Sequence, residues 1–146
     1  MFIRLLKLTQ HVDVQGPENA TTLILLHSLG TDLHLWDLQM PRLTERYRVV
    51  RLDIRGHGLS AVNALPFSMS DLADDVISVL DHLKINTFYV AGVSIGGTIA
   101  QWIGFKLPER VLGMVIIDTS LVNAAPPSVW RARAEDVFQH GLEHLE

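Results

Sequence analysis

Short apolar runs alternate with longer segments of helical period along most of this chain. Four runs, at residues 22–26, 49–54, 87–91 and 111–117, are rich in Val, Ile and Leu. Continuous apolar runs of this length are typical of parallel strands that are covered on both faces of their sheet. They therefore predict four strands of a mostly parallel sheet.

Three segments beside these runs have the spacing of helices. Residues 70–83 repeat apolar side chains on one face, and Asp71, Asp74 and Asp75 suit the positive N-terminal end of a helix. Residues 95–107 repeat large apolar side chains until Pro108 ends the pattern, and a further helix is expected over residues 33–44. Strands and helices in strict succession imply right-handed crossovers, so we predict a doubly wound α/β sheet.

The two ends of the chain depart from this alternation. Residues 2–8 and 11–14 are expected to form an opening pair of edge strands. After a break at Ala124-Ala125-Pro126-Pro127, a polar helix is expected to run to the end of the chain. No further strand is visible after residue 117.

Composition narrows the choice of partners. The 146 residues are 48% hydrophobic and 19% charged, which describes an ordinary globular protein. The net charge of −4 argues against a nucleic-acid partner, so a small molecule is expected instead. Cysteine is absent, the N-terminus lacks a signal-peptide pattern and no apolar run has membrane-spanning length. We therefore expect a cytoplasmic protein without a membrane partner.

The segment GVSIG at residues 92–96 carries the clearest chemistry. It matches GxSxG and lies between the predicted strand at 87–91 and a predicted helix, which is the context of a nucleophile elbow. Its two glycines let strand and helix approach each other, and the tight turn exposes the serine hydroxyl. Ser94 is therefore the predicted nucleophile. The alternatives are an ordinary serine in a glycine-rich turn and a phosphate-binding loop, although no GK[ST] follows.

Two backbone N–H groups are candidates to stabilise an oxyanion beside Ser94. The first is that of Ile95, at the positive end of the predicted helix. The second is that of Leu29, in the HSLG loop at residues 27–30 that follows the first long strand. His27 precedes the nucleophile and lies at the base of this loop, so we assign it a structural role.

A second glycine-rich turn, DIRGHGLS, occupies residues 53–60. Its glycines permit a sharp turn, and Arg55 is expected to hold neighbouring carbonyl oxygens, so we predict a scaffold role that includes His57. The remaining histidines are scattered without the spacing of metal ligands. We expect neither a metal nor an organic cofactor.

With these motifs in view, the chain resembles the α/β-hydrolase superfamily and, more closely, the 3-oxoadipate enol-lactonases. The resemblance is carried by SLGTDLHLWD at 28–37, RLDIRGHG at 51–58, and GVSIGG at 92–97 with a following Gln101-Trp102. These segments are similar to the signatures of that family in order and spacing. The resemblance covers almost the whole chain, but only a little over half of a complete family member.

The resemblance implies an α/β-hydrolase fold that is truncated before its last strands. Residues 1–122 would form the N-terminal part of the core, and residues 123–146 would begin a helical lid. Family members carry the triad acid after a later strand and the base histidine later still, and no residue here matches either position. Asp118 is an alternative acid because some lipases use that location, but we prefer a structural role for it.

The implied activity is that of a serine hydrolase that cleaves a lactone or ester. In the complete protein it would hydrolyse 3-oxoadipate enol-lactone to 3-oxoadipate without a cofactor. Ser94 would attack the carbonyl, and a histidine from outside this chain would take its proton. On the predicted lid helix, Trp130 and Arg133 share a face and could bind an anionic substrate. The alternative is a packed Trp130 and a solvated Arg133.

Other functions remain open at this point. The substrate could be a simple ester, or a ring-cleavage product in which a carbon–carbon bond is hydrolysed, because the elbow is common to all these hydrolases. The chain could instead be a non-catalytic fragment, and we expect it to be inactive alone. The run at 111–117 would form an exposed apolar edge that invites another chain, either a complementary C-terminal fragment or a second copy. We therefore expect a piece of a longer protein.

Overall fold

Six strands form a single sheet in the computed structural model, which describes residues 1–6, 8–62, 66–120 and 126–140. The strands are β1 (Phe2–Arg4), β2 (Thr9–Gln15), β3 (Thr22–Leu26), β4 (Arg48–Leu52), β5 (Phe88–Val93) and β6 (Val111–Ile117). A 3₁₀ turn (Leu33–Trp36) and the helices α1 (Met40–Leu43), α2 (Met69–His82), α3 (Ile95–Lys106) and α4 (Pro127–His140) complete the elements. The strand order is β1-β2-β4-β3-β5-β6, with β4, β3, β5 and β6 parallel. The prediction of a doubly wound, mostly parallel α/β sheet is confirmed.

The central strand β3 is apolar from Leu23 to Leu26 because both of its faces are covered. Leu23 and Leu25 pack with the 3₁₀ turn and α1 on one face of the sheet. Ile24 and Leu26 pack on the other face, in the main cluster that α2 and α3 complete. A strand in this position has no face turned to water, which explains the continuous apolar run.

Helix α2 begins one residue before its predicted start, and Ser68 caps it. The Ser68 hydroxyl accepts a hydrogen bond from the Asp71 N–H at 3.2 Å, and the Asp71 carboxylate accepts one from the Ser68 N–H at 2.8 Å. This reciprocal pair satisfies two N–H groups that would otherwise lack partners. The polar residues before the helix therefore define its first turn.

The prediction of one helix over residues 33–44 is wrong. The chain forms a 3₁₀ turn followed by the single turn of α1, and between them the N–H groups of Gln39 and Met40 donate to carbonyls three residues earlier. Pro41 lacks an N–H group, so it cannot donate to the Asp37 carbonyl as a continuous α-helix requires. The proline therefore interrupts the helical ladder.

The opening strands differ from their prediction in length and position. Of these two strands, only β1 lies at an edge of the sheet, because β2 pairs antiparallel with both β1 and β4. The first strand ends at Arg4 rather than at residue 8, since the Leu5 N–H donates to the Leu8 carbonyl at 2.8 Å and closes a turn. The predicted pair of edge strands is thus one edge strand and one interior strand.

Strand β6 forms the opposite edge of the sheet and exposes large apolar side chains. Val115 is 57% exposed and Leu112 is 50% exposed. Within the described ranges, β6 pairs only with β5, and α4 buries none of its residues. The prediction of an exposed apolar edge is confirmed. The boundary near residue 122 falls outside the described residues, so the assignment of 123–146 to a lid stays a prediction.

The turn after β4 is held by the buried carboxylate of Asp53. Its two oxygens accept hydrogen bonds from the N–H groups of Leu33 and Leu59, each at 2.8 Å, and one of them contacts His11 Nδ1 at 2.9 Å. Gly58 has a φ of +50°, and a Cβ there would lie 2.8 Å from an Asp53 carboxylate oxygen. Asp53 therefore joins β2, the 3₁₀ turn and the glycine-rich turn.

Arg55 has a scaffold role, but its partner differs from the prediction. Instead of holding carbonyl oxygens, its guanidinium makes two hydrogen bonds of 2.7 Å to the Asp75 carboxylate on α2. Both side chains are buried, and the guanidinium also lies over the Phe67 ring at 5.3 Å. The motif gave no indication of this partner, because Asp75 lies twenty residues further along the chain.

The pKa of Asp53 leads to a test of stability against pH. Burial would raise this pKa, but the N–H groups of Leu59 and Leu33, together with His11, outweigh it and lower the pKa below 3.8. The ionised carboxylate therefore stabilises the fold above the unfolded pKa, and this contribution is lost as the pH falls through the folded pKa. We expect Asp53→Asn to cost about 2 kcal/mol near neutral pH, and less as the pH approaches ~3.

Urea denaturation of both proteins across that pH range measures the difference. The matched control is Asp81→Asn, which removes a carboxylate that is 58% exposed and paired with Arg110. Its cost should stay below about 0.5 kcal/mol, since exposed ion pairs contribute little. An Asp53→Asn penalty that does not change with pH would contradict this account.

Candidate active site

Ser94 occupies a strained bend between β5 and α3. Its backbone has φ +53° and ψ −115°, while β5 ends at Val93 and α3 begins at Ile95. A positive φ in a residue with a Cβ costs about 1–3 kcal/mol and persists only where the surroundings enforce it. The side chain is half-buried, and no described residue hydrogen-bonds to its hydroxyl. The predicted bend, with its serine at the tip, is present.

Three hydrogen bonds hold the Ser94 backbone in this conformation. Its N–H donates to the Ile117 carbonyl at 3.0 Å. Its carbonyl accepts from the Thr98 N–H at 3.1 Å and from the Thr119 hydroxyl at 3.0 Å. Thr119 was not predicted to take part, and its only signal was its position just after an apolar run. The end of β6 and the residues just after it therefore stabilise the bend.

Two glycines allow strand and helix to meet at the bend. A Cβ on Gly92 would lie 2.6 Å from the Gly97 nitrogen, and a Cβ on Gly96 would lie 2.6 Å from the His27 carbonyl oxygen. Real Cβ atoms do not approach backbone atoms so closely, so the backbone would have to shift to admit a side chain. The absence of side chains therefore brings the start of α3 against the end of β3 and the loop that follows it.

The two predicted oxyanion donors lie at the same edge of the sheet as Ser94. Leu26 of β3 is in register with Gly92 of β5, so the loops after these parallel strands begin side by side. Leu29 is 45% exposed, and Ile95 is the first residue of α3. Neither N–H donates to another residue in the described part of the chain, as is usual for the first N–H groups of a helix. Their role as oxyanion donors stays a prediction.

His27 is fully buried, and both of its ring nitrogens are occupied. Its Nε2 accepts a hydrogen bond from the Ile54 N–H at 2.9 Å, and its Nδ1 lies 2.8 Å from the Ser28 carbonyl oxygen. These partners assign the proton to Nδ1. Burial lowers the pKa of His27 by more than the bond to Ser28 raises it, and the neighbouring His57 lowers it further. His27 is thus a neutral structural residue, as predicted.

The loop after β3 is closed by Thr31. The Ser28 carbonyl oxygen accepts from the Thr31 hydroxyl at 2.9 Å and from the Thr31 N–H at 3.3 Å, in addition to its bond from His27. Thr31 was not singled out by any motif. The peptide group that carries the Leu29 N–H is therefore held from its carbonyl side.

Asp118 and the α4 residues are not joined to Ser94 by any hydrogen bond or ring contact among the described residues. Asp118 follows β6 with a φ of +46° and an exposed side chain, and no described histidine bonds to it. The Arg133 guanidinium lies 5.9 Å from the centre of the Trp130 ring, so the two do share a helical face. Their role in substrate binding stays a prediction.

Metal clusters and membrane-spanning helices are two further features to consider. Among the described residues, no three His, Asp or Glu side chains are grouped so that they could hold a metal ion. None of the described helices combines the length and the apolar character needed to cross a membrane.

Comparisons with known proteins agree with this geometry. Residues 21–141 match the family model of the alpha/beta hydrolase fold. Two 3-oxoadipate enol-lactonases of Acinetobacter baylyi are 37% and 36% identical over 137 and 127 residues, which is 94% and 87% of this chain. The crystal structure of the enol-lactonase from Burkholderia xenovorans LB400 has a TM-score of 0.94 at 30% identity and covers 99% of this chain.

The match extends over only part of these relatives. The chain spans 51% and 47% of the two Acinetobacter proteins and 56% of the Burkholderia chain, or about half of each. The residues matched by the family model include the loop of Leu29, the bend at Ser94 and all of α4. The chain therefore belongs to the alpha/beta hydrolase fold family.

Proposed function

We propose that Ser94 is the nucleophile of a carboxylic ester hydrolase whose substrate is a lactone. The observation that supports the proposal is the strained bend at Ser94, which leads directly into α3. The first N–H of that helix and the N–H of Leu29 have no acceptor among the described residues. A strained residue in a site of this kind is typical of pre-organised catalysis. The enol-lactonase relatives favour 3-oxoadipate enol-lactone as the substrate of the complete protein.

In the proposed reaction, Ser94 Oγ attacks the lactone carbonyl carbon while a base takes its proton. The N–H groups of Leu29 and Ile95 bind the oxyanion of the tetrahedral intermediate, and each such donor contributes about 3–4 kcal/mol to the transition state. Collapse of the intermediate breaks the ring C–O bond, and the protonated base returns its proton to the enol oxygen. Water, activated by the same base, then releases the acyl group from Ser94.

The base and its acid partner are proposed to come from outside the 146 residues. None of the described histidines hydrogen-bonds to Ser94, and His27 is already bonded at both ring nitrogens. The chain alone is therefore proposed to be inactive. The reaction requires neither a metal nor an organic cofactor, because the serine, the base and two N–H groups supply all its steps.

The exposed edge of β6 is the proposed place for that missing part. Its apolar side chains and unpaired backbone groups fit another strand. The relatives of this chain are about twice as long, so we propose that the occupant is a complementary C-terminal segment of the same fold. This segment would carry the base histidine.

Ser94 is tested with a fluorophosphonate probe on protein purified under native conditions, with any associated chain retained. We expect one phosphonyl adduct on Ser94, because labelling requires an activated hydroxyl. Ser94→Ala should remove the adduct and lower turnover of the enol-lactone by roughly 10⁴-fold or more. Ser78→Ala, on the exposed side of α2, should change neither. Turnover that survives Ser94→Ala would refute the proposed nucleophile.

Arg133 is tested by comparing an anionic lactone with a neutral ester. If its guanidinium binds the substrate carboxylate, Arg133→Ala should raise KM for the lactone by about tenfold and leave KM for the ester nearly unchanged. Arg131→Ala on the same helix is the matched control. Equal effects on both substrates, or an equal effect of Arg131→Ala, would discard this role.

The edge of β6 is tested by native mass spectrometry of the purified protein. We expect a second polypeptide in addition to the 16.3 kDa chain, and we expect Val115→Lys to release it, because a charge on an apolar interface must be desolvated. Leu38→Lys is the control, since Leu38 is exposed on a different part of the surface. A stable monomer, or a pair of identical chains, would contradict the complementary segment.

A further inference from the structure

The carbonyl group of Ser28 is held more tightly than its exposed loop requires. It accepts from His27 Nδ1 at 2.8 Å, from the Thr31 hydroxyl at 2.9 Å and from the Thr31 N–H at 3.3 Å. A carbonyl oxygen has two lone pairs, so three donors saturate it. Its direction is therefore determined from both sides of the loop.

The same peptide group carries the N–H of Leu29. Because a trans peptide is planar, the N–H points opposite to the carbonyl, so a fixed Ser28 carbonyl also fixes the Leu29 N–H. Three donors bind the carbonyl oxygen of this peptide group, while its N–H, that of Leu29, has no acceptor among the described residues. The described hydrogen bonds of this peptide group are thus all made by its carbonyl oxygen and none by its N–H.

We propose that His27 and Thr31 are positioning residues that aim the Leu29 N–H at the oxyanion formed on Ser94. This inference rests on the proposed function, in which Leu29 is an oxyanion donor. A donor stabilises developing charge best when it needs no reorientation during the reaction. His27 and Thr31 do not touch the substrate and act only through the Ser28–Leu29 peptide.

The two residues have different parts in this arrangement. His27 is buried and is itself held by the Ile54 N–H, so it links the peptide to the rigid end of β4. Thr31 is exposed, so its hydroxyl contributes little to the core. Substitutions of Thr31 can therefore change the aim of the peptide without unfolding the protein.

Matched variants of Thr31 and His27 remove or restore the hydrogen bonds to the Ser28 carbonyl and the bond from the Ile54 N–H to His27 one at a time. Thr31→Val removes the hydroxyl and keeps the shape, and Thr31→Ser restores the hydroxyl. The amide nitrogen of His27→Asn can replace Nδ1 as the donor to Ser28, whereas the amide oxygen of His27→Gln can replace Nε2 as the acceptor for Ile54. Thr44→Val is the control, because the Thr44 hydroxyl makes a similar 2.8 Å bond to the Met40 carbonyl in α1.

The direct readout is the carbonyl ¹³C shift of Ser28, measured with ¹³C-carbonyl serine and ¹⁵N leucine. The sequence contains two Ser-Leu pairs, at 28–29 and 120–121, and Leu29→Ile assigns the first. Loss of a donor moves a carbonyl resonance upfield, so we expect an upfield shift in Thr31→Val and in His27→Gln. Thr31→Ser and His27→Asn should lie near the wild-type position.

The kinetic readout is the hydrolysis of 3-oxoadipate enol-lactone by the natively purified protein. Thr31→Val and His27→Gln should lower kcat by about tenfold with KM within about twofold, because the aimed donor acts mainly in the transition state. Thr31→Ser should restore kcat, and Thr44→Val should leave it unchanged. Thermal unfolding of each variant measures any structural contribution separately.

Several results would overturn the inference. An unmoved Ser28 resonance in Thr31→Val would show that the hydroxyl does not hold the peptide. A moved resonance with unchanged kcat would show that the aim of the peptide does not matter to the reaction. Failure of the proposed function looks different, because Ser94→Ala would then leave hydrolysis intact while the Ser28 resonance still reports on the peptide.

Discussion

The close approach of α3 to the sheet at Gly92 and Gly96 is the constraint on which the rest of the site depends. Without side chains at these two positions, the helix can start directly over the ends of β5 and β3. The chain must then reverse within one residue, which forces Ser94 into a positive φ. One steric condition thus accounts for the position of the Ser94 hydroxyl at the tip of the bend and for the proximity of the Leu29 loop. It also accounts for the N–H of Ile95, which has no acceptor among the described residues.

The 3₁₀ turn and the glycine-rich turn near this bend are held by charged side chains, several of which are buried. Arg51 is buried between the carboxylates of Asp13 and Asp37, and Asp53 and the Arg55–Asp75 pair hold the next turn. Such groups need partners wherever they are buried, so each pair also fixes the positions of the segments it joins. These turns are therefore held by ion pairs and hydrogen bonds, while the faces of the sheet are held by apolar packing.

Strand β6 forms one edge of the sheet and also contacts the bend at Ser94. Its last residues support Ser94, since the Ile117 carbonyl and the Thr119 hydroxyl both bond to the Ser94 backbone. Its outer side exposes apolar side chains that a neighbouring strand could cover. The strand thus helps to shape the bend at Ser94 and, in the proposed complete protein, would join it to the segment that carries the base.

The sequence by itself determined the features that arise from short-range rules. Apolar runs showed the long strands and helices within a few residues, and GxSxG after a strand showed the bend, because period and glycine sterics are local. The partner of Arg55 and the bond from the Thr119 hydroxyl to the Ser94 carbonyl were decided by the tertiary structure. These contacts depend on how turns and distant segments meet in space, and neither residue type nor spacing records that meeting.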